Sequence, residues 1–180
     1  MKILMRAPKD FPDIWPTAGR FKVQVETGEG ELLYETAKEL KNSVIVEIGT
    51  RQGGTAYLLA NTLNKIYTID NYSDPGSNYE SALTNLKQFK NVVLLNGYSE
   101  AFSKIWGTSI DLLFIDADHS YEGCKSDVEN WLQFVKKGSP VLFHDFGSHT
   151  GITKFVNEIL EAGLIEKVKQ EQSMLLTIKK

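Results

Sequence analysis

A regular alternation of short apolar runs with amphipathic stretches is the feature that most constrains this chain. Residues rich in Val, Ile and Leu form runs at 43–48, 65–70, 92–95, 110–115 and 141–143. Apolar residues at helical spacing predict helices at 29–40, 55–63, 79–89, 121–135 and 152–160. Strands that alternate with helices build βαβ units, and unbroken apolar strands are typical of a parallel sheet covered on both faces. The sequence therefore predicts an α/β fold with a mostly parallel sheet.

The two ends of the chain depart from this alternation. At the carboxyl end, the apolar runs 164–168 and 174–178 are too close together to have a helix between them, so they predict a closing antiparallel hairpin. At the amino end, Pro8, Pro12 and Pro16 interrupt regular structure around Trp15. We expect residues 1–27 to form an irregular segment, either a cap packed on the sheet edge or a lid over a ligand.

Length and composition narrow the class of protein. A chain of 180 residues predicts a single domain spanning 1–180. The net charge of −3 disfavours nucleic-acid binding, because no basic excess is available to neutralise phosphates. The single cysteine, Cys124, excludes an internal disulfide and a Cys-cluster zinc site. No signal-peptide core or membrane-spanning run is present, so we expect a soluble cytoplasmic protein that does not bind membranes.

A glycine-rich loop and an acidic residue follow the first two predicted strands. The loop departs from the dinucleotide G-x-G-x-x-G spacing, and Glu47 precedes its first glycine, Gly49, by two positions. A carboxylate there suits an ammonium group better than a pyrophosphate. Asp70 ends the second strand, where a carboxylate can accept hydrogen bonds from both hydroxyls of a ribose. These residues indicate a ligand with a ribose and a positive charge.

The segments at the strand ends resemble one family. Residues 46–55, VEIGTRQGGT, and 69–70 resemble the first two motifs of class I S-adenosylmethionine (SAM)-dependent methyltransferases. Residues 111–123, DLLFIDADHSYEG, and 141–145, VLFHD, resemble the small-molecule O-methyltransferases related to macrolide-sugar and cephalosporin-biosynthesis enzymes. The resemblance covers roughly residues 28–162 and implies a Rossmann-like fold with seven strands. The other interpretation of the pattern is a generic doubly wound nucleotide-binding fold.

The resemblance also implies a set of SAM-binding residues. Tyr98 and Ser99 follow the third strand, where they would border the adenine, although a tyrosine at a sheet end often serves packing alone. The implied set is Glu47, Gly49, Thr50, Arg51, Gly53, Gly54, Thr55, Asp70, Asn71, Tyr98, Ser99 and Asp116.

Histidines and carboxylates cluster after the fourth and fifth strands. Because these strands are neighbours in the predicted topology, we expect Asp116, Asp118, His119, His144 and Asp145 to converge on one crevice. Carboxylate oxygens with an imidazole suit a divalent ion such as Mg²⁺ or Mn²⁺. The resembling family holds its metal with an acid ending the fourth strand and an acidic pair ending the fifth, which correspond here to Asp116, His144 and Asp145. Histidine replaces the first acid of the pair and is a softer ligand.

Structural roles are the alternative for several of these residues. Asp118 or Ser120 suits the amino-terminal cap of the following helix. His149 lies in a polar loop, where we expect it to be solvated, and Asp145 also suits a turn after a strand. His119 lies three residues after Asp116, at the position of the general base in the more distantly similar catechol O-methyltransferases. We therefore interpret His119 as the catalytic base, assisted by Asp116, with a bond to the backbone of its own turn as the alternative.

The function predicted from the sequence is methyl transfer from SAM to an oxygen of a small-molecule acceptor, assisted by a divalent cation. The alternatives are an N-methyltransferase, a nucleotide-dependent oxidoreductase on the same fold, and a nucleoside-binding module without turnover. A homo-oligomer is possible, with the irregular amino-terminal segment as a candidate contact.

Overall fold

The structure of the protein is a computed structural model in which residues 23–180 are described. Within these residues the strands are β1 Val44–Ile48, β2 Lys65–Asp70, β3 Val92–Asn96, β4 Leu112–Ile115, β5 Pro140–Phe143, β6 Ile165–Glu171 and β7 Met174–Lys179. The α-helices are α1 Thr27–Glu39, α2 Gly54–Ala60, α3 Tyr79–Leu86, α4 Ser99–Ser103, α5 Tyr121–Trp131 and α6 Thr150–Glu161, and a 3-10 turn, Leu132–Phe134, follows α5. Most of the predicted cap or lid at 1–27 lies outside the described residues.

The strands form one seven-stranded sheet in the order β3-β2-β1-β4-β5-β7-β6. Strands β1 to β5 pair in parallel, and β7 pairs antiparallel with both β5 and β6. The predicted parallel sheet and the closing antiparallel hairpin are therefore confirmed. The hairpin places β7 inside the sheet, and β6 becomes its edge strand.

Alternation along the strands divides the core between the two faces of the sheet. Val46 and Ile48 of β1 pack on the face covered by α5 and α6, where Trp131 is fully buried. Ile45 packs on the other face with Leu33 of α1 and with residues of α2. Because neighbouring side chains of a strand point to opposite faces, a central strand covered by helices on both sides is apolar at most positions, and Glu47 of β1 is an exception.

Several elements are shorter in the structure than their apolar patterns predict. Helix α2 ends at Ala60, because Leu63 has a positive φ of 63° and its side chain is 83% exposed. Helix α3 ends at Leu86, and the following Phe89 packs its ring edge-on against Tyr57. An apolar residue in a loop can therefore continue the helical spacing of the sequence and make a predicted helix too long.

The strand order reverses between β1 and β4, which places a crevice at their carboxyl ends. The chain runs outward from β1 through β2 to β3 and then returns to the other side of β1 as β4. Ligands of open α/β sheets bind at such a switch point. Within the described part of the chain, no helix has the length and apolar character needed to cross a membrane.

Candidate functional site

A cavity of about 800 Å³ opens at the carboxyl ends of the strands. This volume lies in the range of roughly 300–1,000 Å³ that is typical of small-molecule sites. Gln24, which precedes α1, also contributes to the wall. All the predicted site residues except Glu47 and Gly53 line the cavity: Gly49, Thr50, Arg51, Gly54, Thr55, Asp70, Asn71, Tyr98, Ser99, Asp116, His119, His144 and Asp145.

The glycines of the loop after β1 have different physical roles. Gly49 has a φ of +103°, and a Cβ there would lie 1.9 Å from the main-chain oxygen of Asp116, so this glycine lets the ends of β1 and β4 approach each other. Gly53, at φ +87°, caps α2, and its Cβ would lie 3.0 Å from the Leu86 side chain. Gly54 lines the cavity. Gly54 therefore lies where a ligand could contact it, whereas Gly53 packs against the Leu86 side chain.

Glu47 lies fully buried behind the wall of the cavity. Its Oε2 accepts a hydrogen bond from the Thr68 hydroxyl, which lies 2.6 Å from that of Thr50. Its Oε1 has no hydrogen-bond partner among residues 23–180. Burial raises the pKa of Glu47 to about 8, although the nearby hydroxyls of Thr55 and Thr68 oppose the rise. A buried carboxyl with one unpartnered oxygen fits a positively charged methyl donor, which would favour its ionised form.

Asp70 holds the loop that follows β1. Its Oδ2 accepts the main-chain N–H of Arg51 at 2.7 Å and the Ser77 hydroxyl at 2.9 Å, and its Oδ1 accepts the main-chain N–H of Tyr72 at 2.6 Å. A carboxylate offers about four acceptor positions, so these contacts leave room for a ligand hydroxyl. The neighbouring Asn71 is exposed on the cavity rim.

Ser99, which is predicted to border the adenine together with Tyr98, contacts a residue that the sequence did not indicate, Asp127. Tyr98 is 69% exposed at the start of α4, and the Ser99 hydroxyl donates to Asp127 Oδ1 at 2.5 Å. Burial raises the pKa of Asp127 to about 6. Asp127 shares the core-facing side of α5 with Cys124 and Trp131. A carboxylate on an apolar helix face was the available signal for this residue.

The predicted convergence of histidines and carboxylates is present, with Asp145 at its centre. His144 Nδ1 lies 3.1 Å from both Asp116 Oδ1 and Asp145 Oδ2. His119 Nε2 lies 3.1 Å from Asp145 Oδ2, and His149 Nδ1 lies 3.2 Å from Asp145 Oδ1. His149 is about half exposed, yet it contacts this cluster. The polar loop in which it lies did not predict that contact. The rings of His119 and His149 have centroids 4.4 Å apart.

The two polar residues before α5 shape the turn that carries His119. Ser120 caps α5, because its hydroxyl accepts the main-chain N–H of Gly123 at 3.0 Å, which confirms the predicted cap. Asp118 lines the cavity and accepts the main-chain N–H of Ser120 at 2.8 Å.

Close packing of opposite charges shifts the pKa values in the cluster. Burial disfavours the charged form of His144, but its hydrogen bonds to the carboxylates of Asp116 and Asp145 outweigh burial and raise its pKa to about 11. Burial likewise opposes ionisation of Asp145, whose contacts with His119 and His144 hold its pKa well below the usual range. The Asp145 hydrogen bond raises the pKa of His119 against the effect of burial. In this cluster the two carboxylates therefore favour the imidazolium form of His144.

Glu29 is a further member that sequence reasoning missed. This residue of α1 is buried, and its Oε2 lies 3.1 Å from His144 Nε2. Burial opposes ionisation, but hydrogen bonds from Ser173, Glu26 and His144 lower the pKa of Glu29. A glutamate near the start of a helix is common as a cap partner, so the sequence carried no signal for a contact 115 positions away.

The predicted metal ligands have a suitable arrangement for a divalent ion. The ligand atoms of Asp116, His144 and Asp145 lie within 4.8 Å of one another. Two atoms at right angles around an ion, each about 2.1 Å from it, lie roughly 3.0 Å apart, close to the 3.1 Å separations in this set. His119, Asp145 and His149 form a second set that shares Asp145.

Comparison by sequence finds relatives that match part of this chain. The chain is 33% identical over 112 residues to an uncharacterised protein of Acanthamoeba polyphaga mimivirus, which covers 56% of this chain and 50% of that protein. This chain spans half or less of the length of the relatives that it matches by sequence.

Solved structures share the fold at low identity. The O-methyltransferase NovP has a TM-score of 0.74 at 14% identity, covering 88% of this chain and 82% of NovP. TomG from Streptomyces achromogenes, an O-methyltransferase solved in complex with SAM, has a TM-score of 0.71 at 16% identity, covering 98% of this chain and 92% of TomG. The predicted Rossmann-like methyltransferase fold is confirmed by these neighbours.

The match to a family model spans the first glycine loop and the histidine–carboxylate cluster. Residues 46–146, more than half of the chain, match the family described as a methyltransferase domain. The chain therefore belongs to this methyltransferase family.

Proposed function

We propose that the protein transfers a methyl group from SAM to an oxygen of a small-molecule acceptor with the assistance of a divalent cation. The supporting observation is that one cavity joins the glycine loop and Asp70 to the histidine–carboxylate cluster, in a chain of a methyltransferase family. NovP and TomG are described as O-methyltransferases, and TomG binds SAM, which favours the same donor and an oxygen acceptor here.

The methyl donor would occupy the half of the cavity formed by the loop after β1. Gly54 and Thr55 allow close approach of the ligand, and Asp70 accepts a ribose hydroxyl at its remaining acceptor position. Tyr98 and Ser99 border the adenine. Glu47, buried behind the loop, compensates the positive charge of SAM through its field rather than by lining the cavity.

Asp116, His144 and Asp145 would hold the divalent ion at the acceptor side of the cavity. When bound, such an ion lowers the pKa of an acceptor hydroxyl. Two carboxylates and one imidazole give the set a charge that suits a dication.

His119 would remove the proton from the acceptor hydroxyl. Its Nε2 faces the Asp145 carboxylate, which favours a hydrogen on Nε2 and leaves the lone pair on Nδ1. The lone pair on Nδ1 makes this nitrogen the base. Asp145 therefore orients the base as well as contributing to the metal set.

The chemical step is an in-line displacement. The acceptor oxygen forms a bond to the methyl carbon while the carbon–sulfur bond breaks, and its electron pair stays on sulfur as S-adenosylhomocysteine (SAH). The hydroxyl proton passes to His119. The sulfonium and the developing alkoxide lose charge together, so a site that excludes water and fixes the in-line geometry accelerates the step.

The function is tested with labelled SAM and a panel of hydroxylated small molecules, including sugars and phenols, in the presence of Mg²⁺ or Mn²⁺. Label should appear in at least one hydroxylated acceptor, and His119→Ala should bind SAM but transfer little label. Label in amines alone would identify an N-methyltransferase. Binding of SAM without transfer to any acceptor would indicate a binding module, and a larger melting shift with NAD than with SAM would indicate an oxidoreductase.

A further inference from the structure

Glu29 is held by hydrogen-bond donors that favour its ionised carboxylate. It is 2% exposed, and each of its two oxygens accepts a main-chain N–H. Oε2 accepts that of Glu26 at 2.9 Å, and Oε1 accepts that of Ser173 at 2.8 Å together with the Ser173 hydroxyl at 2.6 Å. A main-chain N–H can only donate, so neither oxygen of Glu29 can carry a hydrogen toward these partners.

This setting fixes which nitrogen of His144 carries a hydrogen. His144 Nε2 lies 3.1 Å from Glu29 Oε2, and the three hydrogen bonds donated to Glu29 favour its carboxylate form, so Nε2 is the donor. In a neutral ring the lone pair is then on Nδ1. That nitrogen lies 3.1 Å from both Asp116 Oδ1 and Asp145 Oδ2, between the two carboxylates of the proposed metal set.

We propose that Glu29 is a positioning residue that presents His144 Nδ1 as a metal ligand, and that the resulting nitrogen–oxygen–oxygen set selects Mn²⁺ over Mg²⁺. The inference rests on the metal role proposed above. A carboxylate behind a ligating histidine fixes the ring and increases its basicity, and removal of such a partner typically costs about 10–100-fold in metal affinity. An imidazole ligand suits first-row transition ions, whereas Mg²⁺ prefers oxygen ligands.

Glu29 and His144 thus act as a unit in place of the acid that the resembling family carries at this position. A carboxylate at position 144 would need no partner to orient its lone pairs. The contribution of Glu29 to metal affinity should therefore depend on histidine at position 144, whereas its contribution to folding should not.

The test is a double-mutant cycle in metal affinity. Isothermal titration calorimetry measures the Kd of Mn²⁺ and of Mg²⁺ for the full chain without SAM, in wild type, Glu29→Gln, His144→Asp and the double variant. Glu29→Gln should weaken Mn²⁺ binding about 10–100-fold in the wild-type background and less than ~2-fold in the His144→Asp background. His144→Asp alone should shift the preference toward Mg²⁺. Glu39→Gln, the same charge change at the exposed end of α1, should leave both affinities unchanged.

Thermal unfolding separates positioning from structure. Glu29→Gln cannot satisfy both main-chain N–H groups, so Tm should fall in both backgrounds. An equal loss of Mn²⁺ affinity in both backgrounds would show a structural role and overturn the proposal. Equal Mn²⁺ affinity in wild type and Glu29→Gln would overturn it while leaving the metal role intact. Wild type that binds neither ion would overturn the metal role as well.

Two further outcomes decide the assignment independently of the cycle. If Mn²⁺ binding is lost in His149→Ala but kept in Glu29→Gln, the ion occupies the second set around Asp145 and the proposal fails. If Glu29→Gln does not fold, ¹⁵N spectra of histidine-labelled wild type with Zn²⁺ give the answer. A hydrogen on His144 Nε2 and a metal-bound shift at Nδ1 would support the proposal, and the reverse assignment would overturn it.

Discussion

Replacement of Asp70 by alanine is expected to weaken binding of SAM and SAH by about 10–100-fold. The lost hydrogen bond between the carboxylate and a ribose hydroxyl is worth roughly 1.5–3 kcal/mol, and each factor of ten in affinity corresponds to about 1.4 kcal/mol. One bond therefore accounts for about one to two decades. Asp70 also holds the main-chain N–H groups of Arg51 and Tyr72, so the variant loosens the loop that contacts the rest of the donor.

The assay is calorimetric titration of SAH into wild type, Asp70→Ala and Asp74→Ala. Asp74 is the matched control, because it also lines the cavity and holds one main-chain N–H, that of Gly76 at 2.7 Å. Asp74→Ala should bind SAH with near wild-type affinity, and thermal unfolding should show that both variants are folded. Equal SAH affinity in wild type and Asp70→Ala would refute ribose recognition by this carboxylate.

Three further predictions concern catalysis and the loop after β1. His119→Ala should lower kcat by about 10²–10⁴-fold with donor affinity nearly unchanged, as expected for lost proton transfer. The wild-type rate should rise with pH as His119 loses its proton, and a mutant that keeps this limb would exclude the role. EDTA should abolish activity and Mn²⁺ should restore it; activity that ignores the chelator would remove the metal role. Gly49→Ala should lower the free energy of unfolding by at least about 2 kcal/mol in urea titrations, because its Cβ meets a main-chain oxygen at 1.9 Å and its φ is positive. Gly107→Ala, where a Cβ meets nothing within 4 Å, should change it by less than about 0.5 kcal/mol, and similar losses in both variants would contradict the steric argument.

The fold was predictable because its determinants are local patterns. Each parallel strand buried between helices is mostly apolar on both sides, and each covering helix carries an apolar face, so the alternation alone specifies the layers. Helix ends were less predictable. Leu83 shares the helical spacing of the apolar residues in α3, yet it is 42% exposed, because the spacing of apolar residues does not say whether a neighbouring element covers them.

The site was predictable only where it depends on strand ends. Asp70, Asp116 and Asp145 follow strands whose carboxyl ends meet at one edge, so their convergence follows from the topology. Asp127 lines the cavity from α5, whereas Glu29 contacts His144 from α1. The angle of a helix on the sheet is set by packing over the whole interface, and no local pattern records it.

The glycine loop shows a further limit of motif reasoning. The resemblance implies that the backbone at Gly49 and Gly53 lies close to the ligand. In the structure a Cβ at Gly49 would meet Asp116, and one at Gly53 would meet Leu86, so both glycines are already required by contacts within the chain. A glycine motif indicates a close approach, but it does not tell whether the approaching atoms belong to a ligand or to the protein.

The protonation of His119 depends on what else binds the Asp145 carboxylate. From the sequence, an ordinary pKa near 6.5 would leave this imidazole largely neutral at pH 7. In the structure the Asp145 carboxylate raises that pKa, so a larger fraction of the base is protonated and inactive at neutral pH. The same oxygen, Oδ2, also lies 3.1 Å from His144 Nδ1 within the proposed metal set. A cation bound to Asp145 would neutralise part of the carboxylate charge that faces His119. The pKa of His119 would then fall, and its neutral form would be present at lower pH. The pH–rate limb should therefore move to lower pH as the affinity of the cation for Asp145 increases, which makes this carboxylate the element that couples metal binding to proton removal.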